Sequence, residues 1–314
     1  MSEPRVAAPP PADAAPADPQ RQAEELRHAR LRQRYATQYV LRRIGLYVAA
    51  VVAAFVCAAP FVWSAITAFK QRRDLYNPEH NPFWFNLPAT HDHIRYLFGE
   101  TAFGTFAWNT LWVGLLVVAI TLLLALPAAY ALARLDRPWA GWFGIAIFLV
   151  YLVPPTLLFL SLSRIVVALG LQDSTWSLVL VYPTITIPVS VWLLMGFLKS
   201  IPRDIEEQAM VDGYSRLAAF WRAVVPLAFP GVVAVIVFAF TLTASEYIYA
   251  LSFVSPTDEK VISTGVPTEL VRGDVFFWQS LQAATVLVAV PIALVFNLFL
   301  DRFIAGFTQG AVKG

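Results

Sequence analysis

Phe106-Ala-Trp-Asn-Thr-Leu-Trp-Val-Gly-Leu-Leu-Val-Val-Ala-Ile-Thr-Leu-Leu-Leu-Ala-Leu-Pro-Ala-Ala-Tyr-Ala-Leu-Ala133 runs without one charged side chain. At about 1.5 Å of rise per residue, a helix over it is about 40 Å long, enough to cross a hydrocarbon layer of about 30 Å. Apolar side chains occupy every face of such a helix, whereas a helix on a water-soluble core keeps one face polar. The stretch therefore reads as transmembrane. Five more runs of this kind lie near residues 44–68, 142–168, 176–198, 224–254 and 281–304. Together they predict an all-α polytopic membrane protein of six transmembrane helices.

The composition agrees. Hydrophobic residues make up 58% and charged residues 14%, against about 25% charged in soluble domains, so the bilayer is the solvent in which this chain balances. The net charge of +2 does not suggest a nucleic-acid partner. Its distribution is informative. With the N-terminus in the cytoplasm, the inner segments hold sixteen Lys and Arg and the outer segments six, Arg164 lying near the outer end of the third span. The positive-inside rule then places both termini in the cytoplasm. Residues 1–43 read as a cytoplasmic tail, Pro/Ala-rich and disordered at first and then basic, ahead of a membrane domain over 44–314. The basic lead-in over 21–43 is too long for a cleaved signal peptide, so the first span is expected to stay as an anchor, and a solvated basic helix touching anionic lipid is compatible with the lead-in.

Several chemistries find little support. Cys57 is the single cysteine, which leaves no intramolecular disulfide and no thiolate metal site. The outer loop from about 70 to 105 carries Pro78, Pro82, Pro88, Phe83, Trp84 and Phe85 and reads as an irregular cap. Its His80, His91 and His93 fit a surface loop better than a metal site. No nucleophile–base pair emerges, and no Gly-Lys-Ser or Gly-Lys-Thr phosphate loop occurs, so ATP hydrolysis is not expected on this chain. A transporter or channel working without ATP would call for buried ionisable pairs in the spans. Glu246 is nearly the only candidate.

The connection between the fourth and fifth spans, residues 199–223, is too structured for a linker. Pro202 suits a first helical turn, Asp204, Glu206 and Glu207 suit the positive end of a helix, and Gly213 suits its stop. Ser215 can cap a second short helix. Over 203–212, Ile205, Ala209 and Met210 form a partly apolar face, with Arg203 and Glu206 on the polar side. Such a helix can dock on another protein or lie on the lipid surface.

Glu207-Gln208-Ala209, Asp212-Gly213 and Pro226 closely resemble, in order and spacing, the cytoplasmic "EAA loop" of ATP-binding-cassette importer permeases: Glu-Ala-Ala, three residues, Gly, nine residues, Ile-x-Leu-Pro. The departures are Gln208 for Ala, Ala223 for Ile and Val225 for Leu. Ala128-Ala129-Tyr130-Ala131-Leu132-Ala133-Arg134, Leu169-Gly170-Leu171-Gln172-Asp173-Ser174 and the end Gly310-Ala311-Val312-Lys313-Gly314 are similar to segments of the carbohydrate, maltose-type branch, on the side of its second permease subunit.

The resemblance implies the type I importer permease (MetI-like) fold, a bacterial cytoplasmic membrane, and a heterodimer with a second permease. It further implies two ATPase subunits carrying ATP and Mg, an extracytoplasmic solute-binding protein, and no cofactor on this chain. On the same analogy Glu207 and Asp212 face or brace the ATPase cleft, Ala209 permits close approach, Gly213 sets the turn and Pro226 completes the motif. In the fifth span the family carries Trp-Asn-(Glu/Asp)-(Phe/Tyr), where this chain reads Ala244-Ser245-Glu246-Tyr247 with Tyr249 following. Glu246, Tyr247 and Tyr249 are the substrate-pathway candidates, with helix contact or interface anchoring as the competing roles. The solute is expected to be a mono- or oligosaccharide, a polyol or glycerol-phosphate-like solute being the alternative.

Overall fold

The computed structural model describes the backbone over 19–134 and 138–311 and the side chains over 38–134, 141–154 and 156–299. The disordered segment expected at the start and the C-terminal tail residues Val312, Lys313 and Gly314 fall outside the described backbone. The chain divides into two units, Met1–Val62 and Trp63–Gly314.

The first unit is helical from Pro19. Helix α1, Pro19–Phe69, continues into the second unit and starts well before the span expected at 44–68. Residues 19–43, expected as part of a tail, form its first turns. The physical reason lies in their composition: Gln, Ala, Glu, Leu and Arg are strong helix formers, and no Gly or Pro interrupts them after Pro19. Within α1, Gln38–Phe69 is long and apolar enough to cross a membrane. Tyr47, Val51 and Phe55 are exposed, as suits a helix solvated by lipid.

In the second unit, α2 (Arg72–Leu75) and α3 (Asp92–Glu100) belong to the loop over residues 70–105. This loop is organised around a buried charge. Asp74 is 2% exposed and accepts hydrogen bonds from Asn86 Nδ2 at 2.8 Å and the Asn86 backbone at 3.0 Å, with His80 Nδ1 at 2.8 Å. Burial by itself raises a carboxyl's pKa, but the bonds from Asn86, His80 and the Leu87 backbone outweigh it and pull Asp74 down to about 2. Lys70, also buried, donates to the Asn81 carbonyl at 2.8 Å. The histidines thus serve the loop: His80 meets Asp74, His93 lies 2.9 Å from the Lys70 carbonyl, and His91 packs edge-on against Phe69. Among the described residues no His, Cys, Asp and Glu group has metal-site geometry.

The spans follow as α4 (Phe103–Arg134), α5 (Pro138–Tyr151) with α6 (Pro155–Ala168), and α7 (Thr175–Val181) with α8 (Pro183–Ser200). After them come α9 (Arg203–Val211), α10 (Arg216–Ala219), α11 (Val225–Leu227), α12 (Phe229–Ser245), α13 (Ile248–Phe253), α14 (Ile262–Leu270) and α15 (Trp278–Ala311). A two-residue β-ribbon, Val271–Arg272 with Val275–Phe276, joins the last two. Four helical stretches are long and apolar enough to span continuously. Two bent pairs among the described residues, turning by 90° between α5 and α6 and by 75° between α11 and α12, bring the number to six when each counts as one span.

The runs at 142–168 and 224–254, expected as single spans, are therefore broken. Pro154 and Pro155 break the first by removing two amide donors and by pushing the preceding residue out of helical conformation. Pro226 and Pro230 flank the second bend, and a π-helical turn over Phe220–Val224 absorbs the mismatch just before Pro226. A further interruption falls at Glu246.

The bundle packs through small residues, as membrane helices do when hydrophobic exclusion of water is unavailable between them. A side chain on Gly265 would meet the Phe106 ring at 2.5 Å, so α14 and α4 can approach only with glycine there. One apolar cluster joins α4 and α8 to Phe220 and Val224, and a second joins α4 to α7 and α13 around Tyr182 and Tyr249. Thr121 and Thr186 link α4 and α8 by a buried hydroxyl–hydroxyl bond of 2.6 Å.

Candidate functional site

Helix α9 begins after Pro202, whose extended ψ of 140° turns the chain away from α8. Its first turn presents Glu206, which is only 5% exposed. The sequence reading placed Glu206 on the polar side; the structure turns it inward because α4 offers a matching pair. Tyr130 and Arg134 stand four residues apart on the last turns of α4, hence on one face. The Tyr130 hydroxyl donates to Glu206 Oε1, Arg134 Nε donates to Oε2 at 3.1 Å, and Arg134 Nη1 donates to the Ile201 carbonyl at 3.1 Å. The Tyr130 ring packs on Phe220 with centroids 4.3 Å apart. One carboxylate thus fastens α9 to the second span while the π turn, through Phe220, packs on the same tyrosine.

The other end of α9 closes with two reverse bonds, Gly213 N–H to the Met210 carbonyl at 3.1 Å and Tyr214 N–H to the Ala209 carbonyl at 3.1 Å. Gly213 carries φ +95°, the left-handed conformation this closure requires, as its position in the sequence suggested. Ser215 then caps α10, its hydroxyl accepting from Ala218 N–H at 3.3 Å. Arg222 stacks over the Tyr214 ring at 5.2 Å.

With Glu206 turned inward, the outward surface carries Glu207, Asp212 and Gly213, together with Val211, which is 87% exposed, and Leu217. Ala209 is half-buried at the base of this surface. Pro226 sits apart from them, in α11 beyond the π turn. The sequence reading missed the fastening residues Glu206, Tyr130 and Arg134 as a unit. Their signal was present in the Tyr-x-x-x-Arg spacing at the end of α4.

In the fifth span, Glu246 ends α12 with an extended ψ of 126°. Its carboxylate bends back onto the next half-helix, accepting from the N–H groups of Ile248 at 2.9 Å, Tyr249 at 3.0 Å and Ala250 at 3.1 Å. Its own carbonyl accepts from Ser263 Oγ at 2.6 Å. A helix N-terminus exposes unsatisfied amides, and here the Glu246 carboxyl satisfies three of them. Tyr247 is exposed and Tyr249 fully buried, so the three pathway candidates occupy one break and face different surroundings.

Residues 101–309 match the family of binding-protein-dependent transport system inner membrane components. The sulfoquinovosyl glycerol transport permease of Agrobacterium fabrum is 34% identical over 81% of this chain and 88% of its own length. The diacetylchitobiose uptake permease of Streptomyces coelicolor is 30% identical over 87% of this chain and 98% of its own. Among solved structures, a chain of a bacterial importer of the acidic polysaccharide alginate superposes with a TM-score of 0.69 at 18% identity, over 83% of this chain and 97% of that one. The fold is thus that of an importer permease. The chain belongs to the inner membrane components of binding-protein-dependent transport systems, the permease subunits of ATP-binding-cassette importers, whose ATPase is a separate subunit.

Proposed function

We propose that this chain forms half of the translocation pathway of a carbohydrate importer and that α9 is the element through which a separate ATPase drives it. The observation that carries the reading is the construction of α9. It is fastened to α4 by Glu206 and Arg134, closed by Gly213, and presents Glu207, Val211 and Asp212 outward. A push on that surface is delivered to the second span through a buried ion pair rather than lost in a loose loop. In this reading Glu207 and Asp212 brace the ATPase cleft, Ala209 lets the two surfaces approach, and Gly213 and Pro226 set the turns on either side of the π segment.

The partners are a second permease, two ATPase subunits binding ATP and Mg, and an extracytoplasmic solute-binding protein. The asymmetry of Lys and Arg supports both termini in the cytoplasm of a bacterial cell. A sugar is favoured as solute because relatives over most of the chain are named for glycosides and sugars. The first of these names joins a sugar to glycerol, which supports a glycosylglycerol as the second reading and a simple polyol or glycerol phosphate less well. Glu246, Tyr247 and Tyr249 enter this proposal with Glu246 holding the break in the fifth span and Tyr247 as the exposed aromatic beside it.

The test is uptake into proteoliposomes containing the full transporter, supplied with its solute-binding protein, ATP and a panel of labelled sugars, glycosylglycerols and polyols. ATP-dependent uptake of one sugar or glycoside supports the proposal. Uptake confined to polyols or glycerol phosphate refutes the carbohydrate assignment.

A further inference from the structure

Within the loop over residues 70–105, Pro82-Phe83-Trp84-Phe85 forms a knuckle without a single charge. Phe83 is 71% and Trp84 65% exposed, while Phe85 is half-buried with its ring 6.1 Å from that of Trp84. Two asparagines and a buried ion pair close the base of this knuckle. Asn86 Nδ2 donates to the Asn81 carbonyl at 3.0 Å, and the Asn81 N–H donates to Asn86 Oδ1 at 3.2 Å. Lys70 Nζ donates to the same Asn81 carbonyl at 2.8 Å, and Asp74 accepts from the Asn86 N–H at 3.0 Å. Lys70 and Asp74 lie 3.7 Å apart with no side-chain exposure. Burying two charges is costly unless their geometry is well fixed, and here that geometry sets the angle at which an apolar tip leaves the loop.

The tip folds back along α1 instead of away from it. The Phe83 ring lies 5.3 Å from the Trp63 ring, edge to face at 63°. Trp63 precedes the helix end at Phe69 by six residues, about 9 Å at 1.5 Å per residue. Of the 32 residues in the span Gln38–Phe69, about 20 fill the hydrocarbon, which leaves about six at each end when the span is centred in the bilayer. Trp63 then stands where hydrocarbon meets headgroups, and Phe83 stands beside it. An exposed ring at that depth meets lipid. A protein arriving from the water would meet the end of α1 first.

We propose that residues 82–85 are an interfacial anchor, inserting Phe83 and Trp84 between the phospholipids of the leaflet at the Phe69 end of the first span. Aromatic rings favour this layer because their bodies are apolar and the indole N–H still reaches water or ester oxygens. The partner chemistry is the glycerol–ester zone of any phospholipid and not an anionic headgroup, since the tip carries no cation. The inference rests on the first span crossing the membrane and is independent of the solute and of the coupling role of α9.

The test places one nitroxide spin label in the complete transporter, held in phosphatidylcholine nanodiscs, in a Cys57→Ala background with partner subunits free of reactive cysteine. Collisions with oxygen, which concentrates in lipid, and with a neutral nickel chelate, which stays in water, are compared at Trp84→Cys and at Glu79→Cys, an exposed position of the same loop. The label at 84 should meet oxygen freely and meet nickel at least about threefold less often than the label at 79, because a polar complex is kept out of the apolar layer. Equal nickel collisions at the two positions put the tip in water and overturn the proposal. Low collision with both reagents at 84 means that protein covers the tip, and overturns it as well. Because the label replaces one of the two exposed rings, a second measurement keeps the tip aromatic, with photoreactive benzoylphenylalanine in place of Phe83 and irradiation in the same nanodiscs. Mass spectrometry should find a phospholipid adduct. Its absence, or adducts to another subunit in its place, refutes the insertion.

Discussion

Replacing Arg134 by alanine tests the mechanical link between α9 and the second span. The substitution removes the Nε bond to Glu206 and the Nη1 bond to the Ile201 carbonyl, each 3.1 Å, and leaves a carboxylate with 7% side-chain exposure facing Tyr130 alone. Breaking one partner of a buried pair costs about 3–5 kcal/mol. Arg134 is itself 12% exposed and close to water, so the lower end, about 3 kcal/mol, applies. The spans do not depend on this contact, and the loss should appear as local release of α9. Every 1.4 kcal/mol is tenfold in an equilibrium, so amide hydrogen exchange in 206–211 should accelerate about 100-fold while α4 and α8 change little. Replacing both partners by methionine should restore most of the protection, because two apolar side chains of similar size leave no buried charge. Unchanged exchange in α9 after Arg134→Ala, or no recovery in the double variant, would refute the fastening.

Gly213→Val forces a branched side chain into φ +95° at a cost of about 1–2 kcal/mol, and should lower transport while α4 keeps its exchange protection. The Asp74 carboxyl is held at about 2, below its unfolded value near 3.9, so its contribution to the loop over residues 70–105 is full above about pH 4 and is lost as pH falls through about 2. Asp74→Asn should therefore increase proteolysis of residues 70–90 at neutral pH, and a wild-type rate of cleavage would count against the buried-charge account. Glu246→Leu strips the acceptor from three amides of α13 and should destabilise the fifth span by about 3 kcal/mol or more, with Glu246→Gln intermediate. Melting in detergent micelles at the wild-type temperature would show that the half-helix does not need this carboxylate.

The spans were legible because length and hydropathy are one-dimensional properties, and the bilayer allows few other structures for such runs. The bend after Tyr151 was written in Pro154 and Pro155. The interruption at Glu246 was not, since no proline marks it and the cap depends on a side chain folding back on its own backbone. The early start of α1 was legible in part: residues 21–43 were compatible with a basic helix, but they lack the apolar periodicity that would show it running unbroken into the first span. In the loop, Gly213 and Ser215 announced their turn and cap because those functions depend on local backbone. Glu206 did not, because its partners lie 76 and 72 residues away in the chain and only packing brings them together.

The most direct test of the central claim is co-purification of the ATPase subunits with this chain carrying Glu207→Lys. Glu207 is exposed and outside the Glu206–Arg134 contact, so the spans and the partner permease should assemble normally. The account predicts that ATPase association and solute-stimulated ATP hydrolysis fall together by at least about tenfold, as expected for reversing one charge in a docked interface. Association and stimulated hydrolysis at wild-type levels would contradict it and remove α9 from the coupling path.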